Sequence, residues 1–145
     1  MAGKSATLKN DYIKLFFNTT ATGIPGVATN AGSPLTSFWA SLHTGVPGTA
    51  AGSQLTNEAT YTGYQRVEVL RTTAGFAVSA NSVTFAANVT FATASSSGQT
   101  ITHFGIGSTA TGSGYLFYAG TCTPTVTIDM GIIPILTTGT RITED

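Results

Sequence analysis

The sequence predicts an all-β protein: a single-domain β-sandwich or barrel with one short N-terminal helix. Three observations carry that expectation. Short segments alternate apolar and polar residues, with turn signals about every 8–12 residues, the rhythm of a sandwich or barrel. Thr is abundant beside Val, Ile, Tyr and Phe, which suit a pleated, half-buried surface. One stretch alone has helical periodicity. A chain of 145 residues is long enough to bury a core. The expected layout is one domain over 1–145, with a helix-and-loop arm over 1–35 and a β core over 36–145.

The helix is expected over residues 5–18. Leu8, Tyr12, Leu15 and Phe16 fall on one apolar stripe, with Lys9, Lys14 and Asn18 on other faces. Ser5 or Thr7 supplies the N-cap. A helix this short needs a packing partner in water. It is expected as a lid on one end of the sandwich, with an arm docked on a neighbouring subunit as the alternative. Residues 19–35 are Gly, Pro, Thr, Ala and Asn without period, and read as a long loop.

Strands follow. Phe38–His43 alternates Phe38, Ala40 and Leu42 against Trp39, Ser41 and His43. Turn residues from Thr44 stop it, and a polar excursion over 49–62 holds Asn57, Glu58 and Tyr61. In Tyr64–Arg71, Val67 and Val69 point one way and Tyr64, Arg66 and Glu68 the other; Arg66 is expected to pair with Glu68 or with an adjacent strand. Phe76–Ala80 and Ser82–Ala86 flank a tight turn at Asn81. Val89–Ala92, Thr100–Ile106, Tyr115–Ala119, Val126–Met130 and Ile132–Leu136 read as further strands. Gly105 and Gly107 mark a bulge or a close backbone approach, while Gly131 and Pro134 mark an edge or bulged strand. Residues 137–143 complete the sheet.

Charge is scarce. Only 8% of residues are charged, against about 25% in an ordinary soluble domain. A folded monomer of this mass would expose roughly 7,000 Å². Six basic and six acidic residues therefore leave about one charge per 600 Å² of surface. Such a surface is expected to be partly covered, by copies of the chain or by a larger partner. Zero net charge gives no excess for phosphates, so no nucleic-acid partner is expected. No apolar run approaches the ~20 residues of a membrane span, so no membrane partner is expected. The N-terminus has charged residues where a signal peptide needs its apolar run, which points to the cytoplasm of the producing cell. Cys122 is the one cysteine and is expected as a small buried hydrophobe.

No catalytic or cofactor motif emerges. His43 and His103 are the two histidines, and a metal would need Asp129, Glu58 or Cys122 to converge on them without any recognised ligand spacing. The Gly-rich pieces GVPGTAAG and GIGSTATGSG lack the phosphate-loop Lys and lie between strands. No G-x-S-x-G elbow occurs. Glu58 and Glu68 make a glycosidase pair only if they converge; as a loop and a strand carboxylate they are ordinary. Trp39 with Tyr61, Tyr64 and Tyr118 could form a sugar-stacking platform, against the commoner role of strand aromatics in cores and interfaces. The expectation is a non-enzymatic chain with no cofactor and no metal.

At SFWASLHTGVPGTAAGSQLTNEATYTGYQRVEVLR the chain resembles small virion proteins of tailed bacteriophages. The shared features are a strand ending in SLHTG, then PG, then Gln-x-Thr-Asn-Glu-x-x-Tyr-Thr-Gly-Tyr-x-Arg before a Val-rich strand. Thr102–Gly107, Gly114–Gly120 and the N-terminal helix with FFNTTATGI are similar too. Members are labelled head decoration or cement proteins, or tail-fibre-like proteins. The resemblance implies a small β-sandwich or jelly roll, no enzymatic activity, and homo-oligomers clamped on a capsid. The implied partners are the major capsid protein and further copies in a dimer or trimer, at the outer capsid surface. The alternative is a low-copy tail, baseplate or carbohydrate-binding receptor protein. Contacts are expected on loops 19–35 and 44–62, with Trp39, Tyr61, Tyr64 and Arg66 as anchors, because aromatics and Arg dominate interface energetics.

Overall fold

The computed structural model describes residues 5–18, 34–47 and 53–144. In chain order the elements are α1 (Ala6–Phe17), β1 (Ser37–His43), β2 (Val67–Leu70), β3 (Phe76–Ser79), β4 (Ser82–Phe85), β5 (Val89–Thr90), β6 (Gln99–Gly107), β7 (Leu116–Ile128), β8 (Ile135–Leu136) and β9 (Arg141–Thr143). The protein is all-β with one short helix. Its strands form sheets ordered β2-β1-β6-β7, β3-β4-β9 and β5-β8. The chain divides into two compact units, one built from 1–37, 70–88 and 137–145, the other from 38–69 and 89–136.

In the first unit α1 packs on the β3-β4 hairpin. Ser5 caps it, its Oγ accepting from the Leu8 amide at 3.2 Å. Among the described side chains of the helix Ile13 and Phe17 are buried, whereas Leu8 and Tyr12 are each 37% exposed. The stripe expected through Leu8 and Tyr12 is therefore corrected. The helix turns the Ile13–Phe17 pair inward because Phe17 meets the Phe76 ring at 4.8 Å, and Phe76 in turn meets Phe85 at 5.8 Å. Three aromatics in contact bury more apolar area than a Leu and a Tyr on the outer side of the helix.

The hairpin turn is Ala80–Asn81, with Ala80 in the left-handed region at φ 53°. Asn81 lies in the turn as expected, and it also clamps β9. Its Nδ2 donates to the Glu144 carbonyl at 3.1 Å and its carbonyl accepts from the Glu144 amide at 2.8 Å. β9 pairs antiparallel with β4, Val83 opposite Ile142.

Arg71 holds the first unit together from inside. It is 7% exposed. Its Nε donates to the Phe16 carbonyl, Nη2 to the Leu15 carbonyl and Nη1 to the Leu35 carbonyl. Carbonyls of a last helical turn lack intrahelical partners and carry the negative end of the helix dipole. Burial pushes the guanidinium pKa down, yet the three carbonyls give it acceptors. A cation in the sequence segment after β2 thus caps a helix far away in the chain.

In the second unit β1 pairs antiparallel with β6, in register Trp39↔Gly107, Ala40↔Ile106, Ser41↔Gly105, Leu42↔Phe104 and His43↔His103. One face of this pair is apolar: Phe38, Ala40 and Leu42 with Phe104 and Ile106, each at most 4% exposed. β7 runs unbroken for 13 residues, where two strands separated by a turn were expected. Gly120 lies in the strand because the Phe104 ring packs over it, and a Cβ there would sit 2.7 Å from a ring carbon. The turn-like residues instead form a bulge. From Ile101↔Val126 to His103↔Thr121, β6 advances two residues while β7 spans five. Cys122 lies in that bulge, half-buried where a buried position was expected, and burial pushes its thiol pKa up. β8 is reduced to Ile135–Leu136, paired with β5, because Gly131 takes φ 88° and Pro134 has no amide to donate.

Replacing Arg71 by Met keeps the aliphatic bulk and strips the three carbonyls of their donors. We expect Arg71→Met to lower unfolding free energy by about 2–4 kcal/mol. Urea unfolding by circular dichroism measures it; a change within experimental error would remove Arg71 as the cap of α1.

Candidate functional site

The second face of the β1-β6 pair is polar, and β6 contributes almost no side chains to it. Trp39, Ser41 and His43 stand on β1 across from Gly107, Gly105 and His103. The two glycines make a vacancy that the neighbouring segment fills. A Cβ on Gly107 would fall 2.0 Å from Gln54 Cδ; one on Gly105 would fall 2.7 Å from Ser41 Oγ and 2.8 Å from His43 Nε2. Gln54 is fully buried. Its Nε2 donates to the Trp39 carbonyl at 3.4 Å, and its Oε1 accepts from the Thr109 amide at 3.1 Å.

Residues 53–66 lie over this face. The Thr44 amide donates to the Asn57 carbonyl and the Ala59 amide to the Leu42 carbonyl, each at 2.8 Å. The Gln54 amide donates to the Gly114 carbonyl at 2.9 Å. Farther along, the Thr60 amide donates to Gln99 Oε1 at 3.0 Å and the Thr62 amide to Ser96 Oγ at 3.0 Å. Asn57 adopts φ 54°, a conformation Asn tolerates, and its Nδ2 donates to the Val46 carbonyl at 2.8 Å.

His43 is fully buried beneath this segment. Nδ1 faces the Thr56 carbonyl at 2.9 Å, an atom that can only accept, so Nδ1 carries the proton. Nε2 then accepts from Ser41 Oγ at 2.9 Å. Burial pushes the His43 pKa below its ordinary value; the Thr56 bond opposes that only in part. The imidazole is a neutral, doubly satisfied structural group.

Arg66 and Glu58 form the centre of the arrangement. Arg66 Nε donates to Glu58 Oε1 at 2.6 Å and Nη2 to Oε2 at 2.7 Å, a bidentate pair. Nη2 also reaches the Gly112 carbonyl at 2.8 Å, and Nη1 reaches the Thr109 carbonyl at 3.0 Å and Thr109 Oγ1 at 3.3 Å. All five guanidinium N–H groups are thus directed to acceptors. The side chains of Arg66 and Glu58 are 2% and 11% exposed. Tyr64 Oη donates to Glu58 Oε1 at 2.9 Å and accepts from the Leu42 amide at 3.1 Å. Burial, and then the Glu58 charge, push the Tyr64 phenol well above its ordinary pKa. The strand expected over Tyr64–Arg71 is only β2, Val67–Leu70; Arg66 lies just before it and pairs with Glu58 across the loop, not with Glu68.

Beside this pair opens a groove of about 500 Å³, lined by Trp39, Glu58, Tyr64, Gln65, Arg66 and residues 110–112. Of the four residues singled out from the sequence, Trp39, Tyr64 and Arg66 line it. Tyr61 does not: it is 4% exposed, donates to the Ala92 carbonyl at 3.1 Å, and packs edge-on against Tyr64 at 5.3 Å. Gln54, Glu58, Gln65 and the 109–112 turn were not singled out as members. For Glu58 a faint signal was present, since an acid and a base eight residues apart in a nearly uncharged chain are natural partners; Gln54, Gln65 and the 109–112 turn had none. Of the expected contact loops, 19–33 and 48–52 lie outside the described residues. Among the described residues no cluster of His, Cys, Asp and Glu is arranged for a metal, and no helix is long and apolar enough to cross a membrane.

A family model described as "Podophage GP4 fiber I protein gp80" matches residues 3–142. The chain belongs to that family, and is a phage virion structural protein of the fibre-related kind. A search of curated proteins returned no match. The family description names a fibre, which is nearer to the tail-side alternative of the sequence reading than to head decoration.

Two outcomes test the site. Arg66→Met leaves a buried carboxylate unpaired and should cost about 3–5 kcal/mol, while the double variant Arg66→Met/Glu58→Gln should cost less than the two single changes summed. Additive costs in urea unfolding would mean the pair is not coupled. For His43, the folded pKa lies below the unfolded value of 6.5, so the unfolded chain takes up the proton first. Stability should be full above that value and decline as pH falls toward the folded pKa. In His43→Gln, itself less stable, this part of the acid-side decline in melting temperature should be missing.

Proposed function

We propose that the chain is a small structural module of the podophage fibre, carried at low copy number and partly covered by neighbouring virion chains. Membership in a fibre family supports the location. The observation that carries the covering is a run of exposed apolar side chains in the second unit, at the turn between β7 and β8. Met130 is 74% exposed, Ile132 39%, Ile133 49% and Ile135 45%. The turn is held in shape by backbone bonds, the Gly131 amide to the Ala94 carbonyl at 2.8 Å and the Ala94 amide to the Ile132 carbonyl at 2.8 Å. Val46, Leu55 and Tyr115 are exposed by 59%, 53% and 65% elsewhere in the unit. A rigid turn that presents several large apolar groups in a nearly uncharged chain has the character of a contact surface.

Head decoration is the competing reading. There the same surface would lie on the major capsid protein lattice, as dimers or trimers bridging capsomers, and add contact area that resists the packaged DNA. Low charge favours covering in either place. The family's fibre description favours the first.

Copy number separates the two. Quantitative mass spectrometry of purified virions should give a ratio to the major capsid protein far below any simple fraction of the lattice. A ratio near such a fraction would move the chain to the head. In the same virions, Met130→Lys/Ile133→Lys should incorporate poorly while the purified chain melts within a few degrees of the parent, since exposed substitutions typically change stability by about 0.5 kcal/mol or less. Normal incorporation would exclude the β7-β8 turn from the contact.

A further inference from the structure

We propose that the groove beside Trp39 binds a neutral saccharide. Its size comes first: about 500 Å³ is within the range of small-molecule sites, and suits one or two sugar rings. Its charge state comes second. The groove has one cation and one anion among its described lining residues, Arg66 and Glu58, and both are spent on each other. All five Arg66 N–H groups already have acceptors, so no donor is left to clamp a carboxylate or phosphate. Both Glu58 oxygens are engaged, so an ammonium ligand has no free carboxylate to meet. A charged ligand would lose its hydration without an opposite charge in return.

What remains for a ligand is a half-buried indole, Trp39, the exposed amide of Gln65, and the exposed 110–112 turn with the Thr111 hydroxyl. That set pairs an aromatic face with neutral donors and acceptors. It matches a molecule with one apolar C–H face and a rim of hydroxyls, which is the chemistry of a hexose. Glu58 is the one carboxylate among the described lining residues, and glycoside cleavage needs a flanking pair; the sugar is held and left intact. The frame is also pre-ordered, because Arg66 ties residue 58, residue 109 and residue 112 into one rigid rim. Pre-ordering removes part of the entropy cost of binding.

The inference rests on the fibre reading for its use. Its test is independent of that reading, because it is done on the purified chain. Trp39 is the single tryptophan, so indole emission reports directly on the groove. The chain is titrated with glucose, galactose, N-acetylglucosamine and their disaccharides, with glucuronate and glucosamine as charged controls. The expected result is a saturable emission change with at least one neutral sugar, half-saturating at about 1–10 mM, and at least about tenfold weaker binding of the charged counterparts. Ala110→Phe, at an exposed position of the rim, should fill the groove and weaken binding by about tenfold or more; Gln65→Ala should weaken it by about threefold or more. Both variants leave the Arg66 bonds in place, and circular dichroism confirms the fold. No emission change with any neutral sugar up to about 100 mM overturns the proposal. So does equal binding of glucuronate, or binding unaffected by Ala110→Phe. A negative result here leaves the copy-number test of the fibre assignment standing.

Discussion

A buried guanidinium has to satisfy five N–H groups in one plane, and in this protein that requirement shapes the polar side of the second unit. Arg66 meets it with both oxygens of Glu58, the Thr109 carbonyl and hydroxyl, and the Gly112 carbonyl. The acceptors come from two loops far apart in sequence. A polar network in a low-dielectric setting either closes completely or destabilises its surroundings. Here it closes: among the described residues no buried side-chain nitrogen or oxygen lacks a partner. A chain with so few charges has placed one acid and one base where water is excluded, which gives the pair a positional role that an exposed pair could not have.

The glycines of β6 serve the same arrangement from the other side. Gly105 and Gly107 leave the face of the sheet bare opposite Ser41 and Trp39. The vacancy is taken by Ser41, His43 and Gln54, whose polar atoms then need partners. His43 finds them in Thr56 and Ser41, and Gln54 in Trp39 and Thr109. The segments SLHTG, QLTNE and YTGYQR are thus joined in space to THFGIG, far along the chain. Their spacing encodes how a loop is fastened to a sheet, and no catalytic chemistry is needed to explain the histidine.

The strand pattern was legible because alternation reports burial directly. Phe38, Ala40 and Leu42 are inside and face Phe104 and Ile106, as their period implies. Where the sequence misled, the deciding contact came from elsewhere in the chain. Ile13 and Phe17 outrank Leu8 and Tyr12 because Phe76 and Phe85 wait beneath them. Gly120 and Pro124 have turn composition, yet they sit in a strand because β6 supplies a partner on both sides of the bulge. The candidate site was half legible. Trp39, Tyr64 and Arg66, expected from the sequence as contact anchors, line one groove. Glu58 as the partner of Arg66 left only a faint signal, because the loop's return path to β1 has no period that a linear reading could follow.

Rigidity links this fastening to assembly. A surface loop that orders only when it meets a partner gives up conformational entropy at that moment, by about 1–2 kcal/mol per residue fixed. Residues 53–66 have already met that cost during folding, through the Arg66 pair, the His43 and Gln54 bonds and the backbone bridges to β1. The β7-β8 turn is fixed in the same way by its bonds to Ala94. Exposed apolar side chains on such segments lose only their own rotamer freedom when covered. A contact of modest area can then be stable enough for a virion, where a partner is held close and need not be captured from dilute solution. On the proposal that part of this surface is covered in the virion, the low charge of the chain has the same logic: charges there would have to be desolvated on the way in.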